Sequence, residues 1–169
     1  MHPSLYKRTL DNGIDIFSFY RYEDIKSLLF TKHTELGYHI YKLLARLSFA
    51  KFAQEFAWDE NIVSIAIDDT IKNSYSHTAI LNKSLKSKNI KPLFNRLRAQ
   101  NLLSYSGKSR IFRETNPRNF IVKQFKEKKV ILVDDIITTG ATLREASKKL
   151  TQVNKEVLFC LTLSDVSRK

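Results

Sequence analysis

Apolar positions along this chain alternate between two periods, and the changes of period mark out its elements. Ile14-Asp-Ile-Phe-Ser-Phe-Tyr20 alternates well enough to predict a strand. Glu23 to Lys32 carries Ile25, Leu28 and Leu29 at the spacing of a short helix, and Gly37 predicts a break after it. Tyr38 to Phe56 is the longest helical pattern, with Ile40, Leu43, Leu44, Leu47 and Ala50 on one broad stripe. Its aromatics, Tyr41, Phe49, Phe52 and Phe56, are expected in the core. Asn61 to Ile67 reads as a buried strand, ending in Asp68-Asp69, which suit a solvated turn first and Mg2+ second. Residues 76 to 88 predict a helix. Pro92 interrupts the chain, and Leu93 to Asn101 is Arg-rich and ambiguous. Asn116-Pro117 marks a turn and Phe120 to Val122 a short strand. Val130 to Val133 is a buried strand, Leu143 to Leu150 a helix burying Leu143, Ala146, Ser147 and Leu150, and residues 156–163 a last strand. Strands alternating with helices predict an α/β fold, a mainly parallel twisted sheet flanked by helices. Residues 1–169 read as one domain, with a front end over about 1–60 and a core over about 61–169.

Composition narrows the class. The chain has 169 residues, 43% of them apolar, enough for one packed core. Its single cysteine, Cys160, lies in an apolar run and is expected in the core; one cysteine makes neither a disulfide nor a cysteine-based zinc cluster. His2, His33, His39 and His77 show no ligand spacing, so no zinc is expected. No signal peptide or transmembrane span is evident, which points to the cytoplasm. The net charge of +12 is local: residues 83–129 hold 14 Lys and Arg against Glu114 and Glu127, leaving 15 charges of each sign elsewhere. Such a segment suits a polyanion or a solvated face. Its aromatics, Phe94, Tyr105, Phe112, Phe120 and Phe125, suit either base stacking or a strand-pair core.

The chemistry concentrates at Val130-Ile-Leu-Val-Asp-Asp-Ile-Ile-Thr-Thr-Gly-Ala-Thr-Leu143. Two carboxylates, Asp134 and Asp135, stand where the strand ends, before a hydroxyl-rich loop and a helix. Gly140 permits the curvature that converges backbone N–H groups on an anion, and the helix N-terminus adds partial positive charge. Thr138, Thr139, Gly140, Ala141 and Thr142 would hold a phosphate. The aspartates cannot favour a phosphate; sugar hydroxyls or a hydrated Mg2+ suit them. A ribose 5-phosphate moiety meets both demands. A Walker loop fits less well, because Ala141 and not lysine follows Gly140.

This stretch closely resembles the phosphoribosyl-diphosphate (PRPP) motif of type I phosphoribosyltransferases. The wider pattern resembles the ComF family, phosphoribosyltransferase-like proteins linked to DNA uptake in natural transformation. That likeness is carried by Phe17-Ser-Phe-Tyr-Arg-Tyr22, the Ile25 to Lys32 helix, Arg96-Leu-Arg-Ala-Gln100, Arg110, Asn116 or Asn119, and Phe120. It implies a type I phosphoribosyltransferase-like fold, PRPP with Mg2+ at Asp134 and Asp135, and single-stranded DNA as partner. Other competence or recombination proteins are further partners it implies. Arg96, Arg98, Lys108, Arg110 and Arg113 are the DNA-binding candidates.

Three departures qualify the resemblance. The family's N-terminal four-cysteine zinc finger has no counterpart here. Asn73-Ser-Tyr-Ser-His-Thr-Ala79 replaces the family's Arg- and Gly-containing diphosphate loop. Thr138 stands where catalytic purine transferases carry an acidic base, although orotate-type enzymes share the Ile-Thr-Thr-Gly sequence. The expectation is a competence factor with weak or no transferase activity. A phosphoribosyltransferase of nucleotide salvage and a PRPP-sensing nucleic-acid-binding regulator are the alternatives.

Overall fold

The computed structural model describes residues 2–68, 70–71, 75–101, 112 and 115–167. Strand β1 (Tyr6–Thr9) and β2 (Asp15–Arg21) form a hairpin whose turn carries Gly13 at φ +81°. Helix α1 (Tyr22–Leu29) and a 3-10 turn (Phe30–His33) lead into α2 (Glu35–Ala45), a π turn (Arg46–Ala50) and α3 (Lys51–Glu55). Then come β3 (Ile62–Ala66), α4 (His77–Ser84), β4 (Ile90–Leu93), β5 (Leu97–Ala99), β6 (Phe120–Val122), β7 (Lys129–Ile137), α5 (Ala141–Gln152) and β8 (Glu156–Asp165). Six strands make one sheet in the order β1-β2-β8-β7-β3-β4. Among the described residues, only the β1–β2 pair is antiparallel in it. Strands β5 and β6 pair antiparallel as a separate ribbon.

Parallel strands covered on both faces need apolar residues at nearly every position. In β3 all five residues are buried, and in β7 so are Val130 to Val133. Side chains alternate across a strand, so one sheet makes two cores. Ile131, Val133, Leu161 and Leu163 face one side with Ile25, Tyr41, Leu44, Phe49 and Leu81. Val130, Leu132 and Cys160 face the other with Leu143, Ala146, Leu150, Leu97 and Phe120. Helices α1 to α4 therefore cover one face, and α5 with the β5–β6 ribbon covers the other. The anticipated α5 face and the buried Cys160 both hold.

Several elements depart from the pattern. Gly37 lies inside α2, whose first turn is capped by Thr34 Oγ1 accepting from the Gly37 N–H at 3.2 Å. The glycine serves close packing: a Cβ there would come within 2.5 Å of the Tyr75 hydroxyl and overlap the Thr31 carbonyl. The long helical pattern widens at Arg46–Ala50, where the Ser48 hydroxyl donates to the Leu44 carbonyl at 2.7 Å. Phe49 thereby enters the core against Phe19, with ring centroids 4.9 Å apart. Helix α4 ends at Ser84, not residue 88, and Ser87 Oγ accepts from the Ile90 N–H to start β4. Pro92 does not interrupt the chain's order; it lies within β4, an edge strand, where a missing N–H is tolerated. Strand β7 continues three residues past Asp134, so the aspartates lie within it. Of the aromatics in the basic segment, Phe120 is buried, Phe125 packs against the same core, and Phe94 is exposed; Tyr105 lies outside the described residues.

Candidate functional site

Strands β3 and β7 are adjacent and parallel, yet α4 after β3 covers one face and α5 after β7 the other. A crevice opens where neighbouring strands send their helices to opposite faces, and ligands of α/β sheets bind there. The 138–142 loop lies at this end of β7 and Asp68 at this end of β3.

Gly140 takes φ +77° and is the N-cap of α5. The left-handed turn is open to glycine and strained for other residues. Its underside is closed: a Cβ at 140 would stand 2.6 Å from a Leu10 methyl. Thr139 Oγ1 accepts from the Ala141 N–H at 3.3 Å. The Thr138 carbonyl accepts from Arg8 Nη1 at 2.9 Å, and the Thr139 carbonyl from Arg144 Nη1 at 3.1 Å. Thr142 lies in the first turn of α5, a 12-residue helix whose leading N–H groups lack intrahelical acceptors.

Asp134 and Asp135 occupy opposite faces of β7. Asp135 points to the α1–α4 side and is almost fully buried. Its Oδ2 lies 3.3 Å from Lys32 Nζ, 3.3 Å from His77 Nε2 and 3.4 Å from the Tyr41 hydroxyl. Its Oδ1 accepts from the Ile136 N–H at 2.8 Å. Burial disfavours this charge, but His77 and Lys32 outweigh it and hold the carboxyl at about 2, below the ordinary aspartate value. Asp134 is on the face of Cys160 and Arg118, and its Oδ1 accepts from the Asp135 N–H at 2.8 Å. Its pKa is raised well above the ordinary carboxylate value, by burial first and then by the charge of Asp135. Burial pushes the Cys160 thiol and Tyr41 hydroxyl upward as well.

The split pair gives an acid limb with a definite sign. A depressed folded-state pKa contributes stability above the unfolded value and loses it as pH falls through the folded value. The Asp135 contribution, roughly 2 kcal/mol at ~1.4 kcal/mol per unit, is expected in full above pH about 4 and gone near pH about 2. Asp134 acts oppositely at higher pH, favouring the fold as it gains its proton. Urea unfolding at stepped pH checks this, and Lys32→Met should shrink the loss below pH 4.

Asp68 is not a solvated turn. It takes φ +45°, its side chain is mostly buried, and its Oδ2 lies 3.6 Å from Arg118 Nη1. The segment bearing Arg118 is docked on α5: Glu145 accepts from the Arg118 N–H at 2.9 Å and the Asn119 N–H at 2.7 Å. Arg118 thus stands between Asp68, which follows β3, and Asp134, within β7. Arg118, Arg8 and Arg144 carry no sequence motif and His77 no ligand spacing; Lys32 had a signal only as the end of the Ile25 to Lys32 helix pattern.

Among the DNA candidates, Arg98 is exposed on β5, paired across the ribbon with Ile121, which is also exposed. Arg96 is partly buried and donates from Nη1 to the Gln124 carbonyl at 2.8 Å. Lys108, Arg110 and Arg113 lie outside the described residues, as do Asp69 and Asn73. Among the described residues, no helix is long and apolar enough to cross a membrane. A depression of about 840 Å³ lies at the opposite end of β7 and β8, lined by Lys128, Lys148 and Asn154.

The chain matches the phosphoribosyl transferase domain over residues 47–169. It matches none of the curated proteins. Among solved structures it is similar to a hypoxanthine phosphoribosyltransferase from Staphylococcus aureus, at 18% identity over 74% of this chain and 62% of that one, with a TM-score of 0.43. It is also similar to adenine phosphoribosyltransferase from Saccharomyces cerevisiae, at 15% identity over 96% and 84%, TM-score 0.46. A third is Leishmania donovani UMP synthase, at 21% identity over 75% and 22%, TM-score 0.42. The match spans less than two thirds of the Staphylococcus enzyme's length. With the family profile covering most of its length and the sheet order and motif described above, the chain belongs to the phosphoribosyl transferase domain family and has the type I phosphoribosyltransferase fold.

Proposed function

We propose that the 134–142 site binds PRPP and that the chain is a phosphoribosyltransferase of nucleotide salvage. The observation that carries this is the loop: left-handed Gly140, two carbonyls turned onto arginines, and a 12-residue helix behind. The 5-phosphate takes the Thr138, Thr139, Gly140, Ala141 and Thr142 segment, and Asp134 faces the ribose. Mg2+ fits Asp134 and not Asp135. The Asp135 Oδ2 is engaged by Lys32, His77 and Tyr41, and carboxylates on opposite strand faces do not chelate one ion together. Bound with the diphosphate, Mg2+ would neutralise charge on the leaving group. Arg118 supplies a fixed cation beside Asp134, where charge develops as the diphosphate leaves.

The test is calorimetry with PRPP and Mg2+, followed by diphosphate release with each common nucleobase. Saturable binding that Asp134→Ala weakens at least about tenfold, with turnover on one base near ~1 per second or faster, is the expected result. PRPP binding without turnover on any base would leave a binding protein and remove the salvage role.

A second reading, a ComF-like factor that handles single-stranded DNA in transformation or a regulator on nucleic acid, is favoured by one observation. Phe94, Arg98 and Ile121 are exposed on or beside the ribbon, within the segment that holds the chain's excess charge. Oligonucleotide affinity should then fall with salt at a log–log slope of ~0.7 per contacted phosphate. Because Arg96 holds the Gln124 carbonyl, the informative variant is Arg98→Glu with Lys123→Glu. Affinity indifferent to salt or to that variant would remove the reading.

A further inference from the structure

We infer that Arg8 and Arg144 are positioning residues that set which side of the 138–142 loop faces a phosphate, making the N-terminal hairpin part of the ligand site. This rests on the proposed phosphate reading of the loop. Arg8 lies in β1, outside residues 47–169 that match the family. Its Nη1 donates to the Thr138 carbonyl at 2.9 Å and to Asp165 Oδ1 at 3.2 Å. Asp165 ends β8, is 1% exposed, and also accepts from the Ser167 N–H and hydroxyl at 2.8 Å each. The guanidinium is therefore anchored on a buried carboxylate while it holds the loop. Arg144, on α5, donates from Nη1 to the Thr139 carbonyl at 3.1 Å and to Asp11 Oδ1 at 3.2 Å.

In a planar trans peptide, a carbonyl and the following N–H point in opposite directions. No cis bond occurs among the described residues. Turning the Thr138 carbonyl onto Arg8 thus aims the Thr139 N–H away from Arg8. Turning the Thr139 carbonyl onto Arg144 does the same for the Gly140 N–H. An anion on the side away from each arginine meets the following N–H, with the carbonyl dipole of that peptide directed onto a cation behind. Leu10 fills the space under Gly140, so Arg8, Leu10 and Asp11 back the loop together.

The experiment compares wild type, Arg8→Met, Arg144→Met, Arg8→Lys and Lys7→Met. Lys7 shares β1 and pairs with Asp15 at 2.8 Å, so its variant removes one positive charge from the same strand. Two quantities are measured: ribose 5-phosphate affinity by calorimetry, and 15N order parameters of Thr139 and Gly140 without ligand. Each methionine variant should lose about tenfold in affinity, the scale of one charge-assisted hydrogen bond. Its order parameters should fall from ~0.85 toward ~0.6. Arg8→Lys should recover most of the affinity, and Lys7→Met should match wild type. Unchanged order parameters in both methionine variants, or an equal affinity loss in Lys7→Met, overturns the inference. If wild type itself binds no ribose 5-phosphate, the phosphate reading fails; the order parameters alone then decide whether the arginines hold the loop.

Discussion

Asp135→Asn is expected to destabilise the protein by about 3 kcal/mol at neutral pH, whereas Asp134→Asn should stabilise it by about 1 kcal/mol. The two residues are adjacent and identical in type, but their surroundings differ in sign. Removing the Asp135 charge leaves Lys32 and His77 facing a neutral amide in a mostly buried position, and breaking a buried pair from one side is costly. Removing the Asp134 charge relieves a carboxylate that burial and Asp135 already disfavour. For a domain of this length, Tm should fall by roughly 6–12 °C in the first variant and rise by roughly 2–4 °C in the second. Both variants should weaken PRPP binding if the ligand reading holds. Equal thermal losses would contradict the described environments.

Gly37→Ala should lower stability by about 3 kcal/mol, against the direction that helix propensity gives. In a helix interior alanine is favoured over glycine by ~1 kcal/mol, an upper bound for Gly37 in the first turn of α2. Here the new methyl would overlap the Thr31 carbonyl, with its carbon 2.7 Å away, and crowd the Tyr75 hydroxyl. Overpacking costs ~1–3 kcal/mol, and more where backbone has to move. The displaced segment includes Lys32, whose carbonyl accepts from the Tyr75 hydroxyl at 2.5 Å, so the ion pair to Asp135 should loosen as well. Thermal unfolding decides the sign; a raised Tm would mean that propensity outweighs the contact.

The core strands and α5 were legible because burial on both sheet faces leaves an uninterrupted apolar run at Val130–Val133 and a helical stripe at Leu143–Leu150. The loop was legible because Gly140 and its threonines are contiguous in sequence. What supports the loop was not. Arg8 and Thr138 are brought together only by sheet pairing across most of the chain, and an exposed-looking arginine in a polar hairpin carries no signature. The opposite aims of Asp134 and Asp135 follow from strand alternation once β7 is known to continue through them; placing the strand's end at Val133 hid this. Gly37 misled for a related reason, since glycine marks both a break and a close approach, and only the neighbouring Thr31 and Tyr75 tell them apart. Pro92 shows the same limit: an interruption and an edge strand read alike until strand order is known.

The grip of Lys32, His77 and Tyr41 on Asp135 bears on how this motif persists over evolutionary time. A residue that ties three helical elements to the central strand is kept by selection for a folded chain, whatever becomes of turnover. On the proposed reading, a descendant that had lost transfer would still carry the second aspartate, while drift would reach Thr138, Thr139 and Thr142 first. Within the motif, the aspartate would record that the domain folds, and on the proposed reading the threonines would record whether a phosphate is still bound.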